Sequence, residues 1–238
     1  MSAPGKIEDM TSHTIGLIGG MSYHSTIDYY VGINDAVAKA LGGHHSASLL
    51  LSSLNFADVH ELQAADDWDG AGALLARHAR LLQDAGADAI AICTNLMHKV
   101  APAVEAEISV PLLHIVDAVT ADAQARGLKS LGIMGAHWTM TEPFYADRLG
   151  IRAVRASDAD VALTDGIIFA ELTKGIVTEE SRAALLGVVT RLAEAGADGV
   201  ALACTELPLT LDESNCPIPL VNSTKAHVAA CVRFLLAT

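Results

Sequence analysis

Short runs of consecutive apolar residues alternate along the chain with longer stretches in which apolar positions recur every three or four residues. The runs Ile15–Ile18, Leu49–Leu51, Ile90–Ile92 and Leu112–Ile115 form one set; Leu131–Met134, Val200–Ala203 and Leu220–Val221 form another. Runs that are apolar on both sides of the pleat suit strands covered by helices on both faces, the usual state of a parallel sheet. The longer stretches read as helices with punctuation at each end. Asp66 or Asp67 can cap one that carries Leu74, Leu75, His78, Leu81 and Leu82 on a stripe, with Gly86 to end it. Thr178 can cap a second, striped by Leu185, Val188, Val189 and Leu192 and closed by Gly196. A third helical pattern, Lys225 to Leu236, is expected to pack back on the first part of the chain. Alternating strands and helices predict an α/β protein with mainly parallel sheets.

The pattern is also written twice. AGADAIAICT (85–94) answers AGADGVALACT (195–205), VPLLHIVDAV (110–119) answers IPLVNSTKAH (218–227), and TIGLIGGMS (14–22) answers SLGIMGAHWT (130–139). Three matched segments in one order, spaced roughly 110 residues apart, predict two similar duplicated units and not a solenoid. The division expected is residues 1–119 plus 222–238 for the first α/β domain and 120–221 for the second, with the active site in the cleft between them.

Composition narrows the class. Fifteen Lys and Arg against 28 Asp and Glu leave a net charge of −13 over 238 residues, which disfavours nucleic acid and anionic membrane surfaces as partners. Mean hydropathy is positive at +0.36, yet no run approaches the ~18 apolar residues of a spanning helix. The first thirteen residues lack a signal peptide's apolar stretch, and the expected location is cytoplasmic. Four cysteines in that setting read as free thiols. Ten histidines offer no HExxH or paired ligand spacing, so no metal site is expected. Gly16, Gly19 and Gly20 do not fit a phosphate loop and suit a tight turn beside a small ligand.

The chemistry gathers at Cys93 and Cys204. A single cysteine at a strand end is usually a small buried hydrophobe, but both halves place Cys-Thr at the carboxyl end of an apolar strand, the ligand-binding edge of open α/β sheets. Two thiols facing each other across a cleft suit removal of a proton from one face of a carbon and delivery to the other. Each thiol must be tuned from a pKa near ~8.5 to act as a base. The backbone N–H groups and side chains of Thr94, Asn95, Thr205 and Glu206 can hold a carboxylate and a developing enolate. Cys216 and Cys231 lack the symmetry and read as structural. His98 either supports a thiolate or packs, and His78 reads as a core histidine. Lys174 is a cation able to meet a substrate carboxylate, though a lone lysine is ordinarily solvated.

CTNLMHK (93–99), ACTELPL (203–209), GLIGGMS (16–22) and NSTKAH (222–227) resemble the aspartate/glutamate racemase family, over about Ile15 to Phe234. The resemblance implies two similar α/β domains, a site between them and racemisation with no cofactor, with Cys93 and Cys204 as the acid/base pair. It implies that Met21 and Ser22 line the pocket, that Thr94, Asn95 and Thr205 hold substrate, and that Thr139 belongs to the loop opening the second domain. The chain departs from the family at several places. His44 and His45 stand in LGGHHSAS (41–48) where an Arg is common, Gly135-Ala136-His137 replaces Gly-Thr-Arg, Asn222 replaces Asp, and Leu96 replaces Thr. The function expected is racemisation of aspartate or glutamate, with a small-molecule substrate as partner and a homodimer allowed by the Ala/Leu-rich helices. Rival expectations are a broad-range racemase, a maleate isomerase or hydantoin racemase, a metabolite-binding protein, and a redox pair of cysteines.

Overall fold

The computed structural model describes residues 13–237. The first half runs β1 (Ile15–Gly19), α1 (Tyr23–Leu41), β2 (Leu49–Ser53), α2 (Phe56–Ala64), α3 (Trp68–Asp84), β3 (Ala89–Ile92), α4 (Ala101–Glu107), β4 (Leu112–Leu113) and α5 (Ile115–Ala125). The second runs β5 (Ser130–Gly135), α6 (His137–Thr141), α7 (Pro143–Arg148), β6 (Arg152–Val154), α8 (Asp158–Ala170), α9 (Glu179–Glu194), β7 (Gly199–Ala203), β8 (Leu220–Asn222) and α10 (Ser223–Leu235). Two four-stranded sheets result, in the orders β2-β1-β3-β4 and β6-β5-β7-β8, with every pairing parallel. The duplication expected from the sequence is therefore a duplication of topology.

Alternation along the central strands divides the apolar side chains between two layers of helices. Ile90 and Ile92 face α3 and α4, while Ala89, Ala91 and Cys93 face α1 and α10. In the second sheet Val200 and Leu202 face α8 and α9, and Ala201 and Ala203 face α5 and α7. The terminal helices change sides. α5 follows the last strand of the first sheet but buries Ile115, Val116, Val119 and Ala123 against the second; α10 follows the second sheet and buries Cys231 and Leu235 against the first. Val119 thus lies inside a helix rooted in the second sheet's core.

The helix punctuation is as the sequence implies. Asp67 accepts the Gly70 N–H to cap α3, Thr178 accepts the Ser181 N–H to cap α9, and Gly86 and Gly196 follow with positive φ. Three expectations need correction. The run Leu112–Ile115 is strand only to Leu113, because His114 turns to cap α5 through its ring nitrogen and Ile115 opens the helix. Leu81 is 57% exposed, since the buried stripe of α3 runs through Ala71, Leu75, Ala79 and Leu82. His78 is half-buried and shares a 2.7 Å hydrogen bond with Ser52 of the edge strand β2. No helix among the described residues is long and apolar enough to cross a membrane.

Candidate active site

Both cysteines follow a central strand of their sheet, β3 and β7, but their registers differ by one residue. Ile18 pairs with Ile92 and Cys93 stays in the ladder through its N–H to Ile18 O, 2.9 Å. In the second sheet Met134 pairs with Leu202 and Gly135 with Ala203, so Cys204 lies one residue past the ladder. Cys93 is 1% exposed on the α1 and α10 side; Cys204 is half-buried and packs toward the α8 and α9 core. The two thiols therefore leave their sheets from non-equivalent faces of the pleat.

The glycine turn after β1 shapes the first side of the site. Gly20 has φ +85°, and a Cβ there would lie 2.1 Å from the Leu54 carbonyl oxygen, so only glycine fits. Its N–H donates to Thr26 Oγ1 at 2.8 Å, and Thr26 in turn donates to the Ser22 carbonyl. Ser22 caps α1 and Met21 is buried beside it. The first turn of α1 brings Ser25 to the other half of the molecule, where its hydroxyl donates to Thr205 Oγ1 at 3.0 Å. Thr205 donates onward to Glu206 Oε2 at 2.7 Å, and the same oxygen accepts the Cys204 thiol at 3.0 Å.

A second tie joins the other cysteine loop to the opposite sheet. Asn95 donates to Ser223 Oγ at 3.0 Å, and Ser223 donates to the carbonyl of Leu202, on the strand that carries Cys204. Asn95 is 4% exposed and its Oδ1 is unpaired, as is the hydroxyl of Thr139, 1% exposed in α6 just after β5. Buried polar atoms are nearly always paired, and an orphan costs roughly 1–3 kcal/mol. Both groups leave hydrogen-bonding capacity unused on segments that border the two cysteine loops.

Neither thiol rests as a thiolate. Burial pushes Cys93 well above its ordinary value, and neighbouring Cys231 adds to the shift. Burial also raises Cys204, the Glu206 carboxylate raises it further, and the N–H groups of Glu206 and Leu207 pull the other way. Behind Cys93 lie three buried histidines, His98, His114 and His227, with Tyr29 donating to His227 Nδ1 at 2.8 Å. All three are held neutral by burial.

The predicted residues divide accordingly. Met21, Ser22, Cys93, Thr94, Asn95, Thr139, Cys204, Thr205 and Glu206 sit on the loops and helix starts just described. Lys174 is exposed on a 3₁₀ turn after α8 and makes none of the contacts joining those loops. His44 and His45 are exposed in the loop before β2. Cys231 is buried in α10 with its thiol pushed up to about 12, and Cys216 is half-buried and raised to about 11. Among the described residues no cluster of three His, Cys, Asp or Glu is placed to hold a metal. Sequence reasoning did not single out Ser25, Ser223, Tyr29, His114 or His227; Ser223 and His227 lie inside the NSTKAH segment, whereas Ser25 carried no signal at all.

The molecule is thus a duplicated α/β protein with one thiol at the carboxyl edge of each sheet. The family model described as Asp/Glu/Hydantoin racemase matches residues 18–231, and the chain belongs to that family. Membership makes it an isomerase. A candidate Asp/Glu racemase from Yersinia pestis is 40% identical, with 94% of this chain and 100% of that one covered and a TM-score of 0.91. An aspartate racemase homologue from Pyrococcus horikoshii OT3 is 28% identical over 94% of this chain and 99% of that one, at TM-score 0.81. Glutamate racemase from Francisella tularensis subsp. tularensis SCHU S4, solved with D-glutamate, shares the fold at 11% identity, covering 95% of this chain and 81% of that one, TM-score 0.63.

Proposed function

We propose that the protein racemises an acidic amino acid, aspartate or glutamate, without a cofactor, using Cys93 and Cys204 as a two-base pair. The observation that carries this reading is the pairing of thiols at matched strand ends, on loops stitched together by Ser25–Thr205 and Asn95–Ser223. Both thiols rest protonated, so a base has to be made in the closed site. For Cys204 the acceptor stands 3.0 Å away in Glu206. The thiolate so formed takes the Cα proton from one face. The carbanion is held as an enolate by N–H donors, with Asn95 and Thr139 orienting the substrate's amino and carboxylate groups. Cys93 then donates its S–H proton to the opposite face, and the enantiomer follows the same path in reverse. Cα–H is a very weak acid, so orientation in a closed, water-poor site has to supply much of the rate.

Proton NMR in D₂O tests this directly. Incubation with L-aspartate or L-glutamate, and no added cofactor, is expected to bleach the Cα proton signal, while chiral chromatography of the same samples shows the D isomer growing. Cys93→Ala and Cys204→Ala are each expected to lower that rate by about 10³-fold or more. Full racemisation by either variant would refute the two-base scheme, and exchange restricted to neutral amino acids, hydantoins or maleate would refute the substrate class.

A further inference from the structure

His98 is the histidine of the CTNLMHK segment, in a 3₁₀ turn (Leu96–Val100) just past Cys93, and is 2% exposed. Its Nε2 lies 3.2 Å from the N–H of Ile115, which can only donate, so Nε2 carries no proton. The proton is therefore on Nδ1, 2.8 Å from the Thr94 carbonyl oxygen, which can only accept. The ring is locked in one tautomer between the Cys93 loop and the first residue of α5. It cannot turn over to serve as an acid or base without losing one of these two bonds. His114, 4.5 Å away between ring centroids, and His227, at 5.8 Å, close the remaining sides, and burial among them keeps His98 neutral.

What this grip fixes is a peptide plane. Among the described residues there is no cis peptide, and a trans peptide points its N–H opposite to its C=O. With the Thr94 carbonyl drawn onto His98, the Asn95 N–H has to point away from the histidine. The N–H groups of Thr94, Asn95 and Leu96 have no hydrogen-bond partner among the described residues, and the Asn95 side-chain oxygen is an orphan beside them. α5, the other anchor of His98, is embedded in the second sheet's core. The direction of the peptide next to Cys93 is thereby set from the opposite half of the molecule.

We propose that His98 is a positioning residue for the Cys93 half of the site, aiming the Asn95 N–H at the substrate's carboxylate as it becomes an enolate. The inference rests on the racemase reading above. A donor that strengthens its bond only as charge develops acts on turnover more than on binding. Loss of one such donor costs about 10²–10³ in kcat; here the donor is released and not removed, so about 10–100-fold is expected.

Two near-isosteric substitutions separate aim from bulk. In His98→Asn the amide reaches the place of Nδ1 and keeps the Thr94 bond while losing Ile115. In His98→Gln the longer amide reaches the place of Nε2, keeping Ile115 while losing Thr94. Racemisation of the preferred acidic amino acid would be followed by circular dichroism, with KM, kcat and the thermal midpoint measured for each variant. The expected result is that Asn keeps kcat within about fivefold, whereas Gln and His98→Ala lose about 10–100-fold with KM changed less than about threefold. Equal losses in Asn and Gln that track their thermal midpoints would overturn the proposal, as would Gln turning over like the unaltered protein. If His98→Ala does not fold, the Asn and Gln pair decides alone. Absence of racemisation by the unaltered protein would remove the racemase reading and this inference with it; a slow Asn and a fast Gln variant in an active, cysteine-dependent enzyme would remove this inference only.

Discussion

Acid is expected to destabilise this protein in a window set by its buried histidines, which opens above the range where carboxylates titrate. Burial lowers His114 to about 3 and His227 to about 4, and lowers His98 as well. Arg148 adds to the effect on His114, and Asp117 opposes it. In the unfolded chain each imidazole titrates near about 6.5. Between that value and the native one, the unfolded state binds protons that the native state refuses. Stability therefore falls as pH falls, by about 1.4 kcal/mol per unit for each histidine. His114 and His227 together give a slope of about 2.4 kcal/mol per unit near pH 5.5, and a loss of about 5 kcal/mol by pH 4.5. A domain's whole stability is about 5–15 kcal/mol, so the loss is large. Asp117 and Asp160, held below the ordinary carboxylate range, lose their stabilising charge only at lower pH and do not blur the window. Urea midpoints followed by far-ultraviolet circular dichroism from pH 7.5 to 4.5 would measure the slope. His227→Gln should be less stable at neutral pH yet lose about half of that slope. A midpoint flat from pH 7 to 5, or a slope unchanged in His227→Gln, would refute the reasoning.

Thr139→Val replaces an unpaired buried hydroxyl with a methyl of the same shape, so the thermal midpoint should hold or rise while racemisation drops about tenfold or more. A variant as active as the unaltered protein would show that the hydroxyl has no substrate partner. Glu206→Gln removes the charge that helps keep Cys204 protonated, so iodoacetamide should alkylate this thiol faster at pH 8 even as racemisation falls. Slower alkylation in that variant would contradict the present account of the thiol.

The strands legible in the sequence were those written as apolar runs, whether fully buried like β1, β3, β5 and β7 or half-exposed like β2, and α3 and α9 were legible from a stripe bounded by a cap and a glycine. β6 was not: Arg152–Val154 is three residues long, sits on a sheet edge and opens on an exposed arginine, so no apolar run announces it. The Cys-Thr repeat located both thiols because it is local. The one-residue offset between Cys93 and Cys204 was already present in the unequal lengths of the two repeated segments, but its meaning depends on ladder register. Ser25 could not be found in this way, since its partner Thr205 is 180 residues distant. His98 was visible as a residue type only; the contacts that decide its tautomer come from a carbonyl four residues back and the first amide of α5.

The exchange of α5 and α10 means that neither half of this molecule is a free-standing module. A fragment ending after α5 would carry a helix whose apolar face belongs to an absent sheet, and its own sheet would lack the cover of α10. The second fragment would have the mirror-image defect. Only residues 126–129 connect α5 to β5, and this four-residue tether keeps two interlocked halves at high effective concentration in one chain. Cleaved there, the halves would stay clasped through their traded helices, as two subunits of a dimer do.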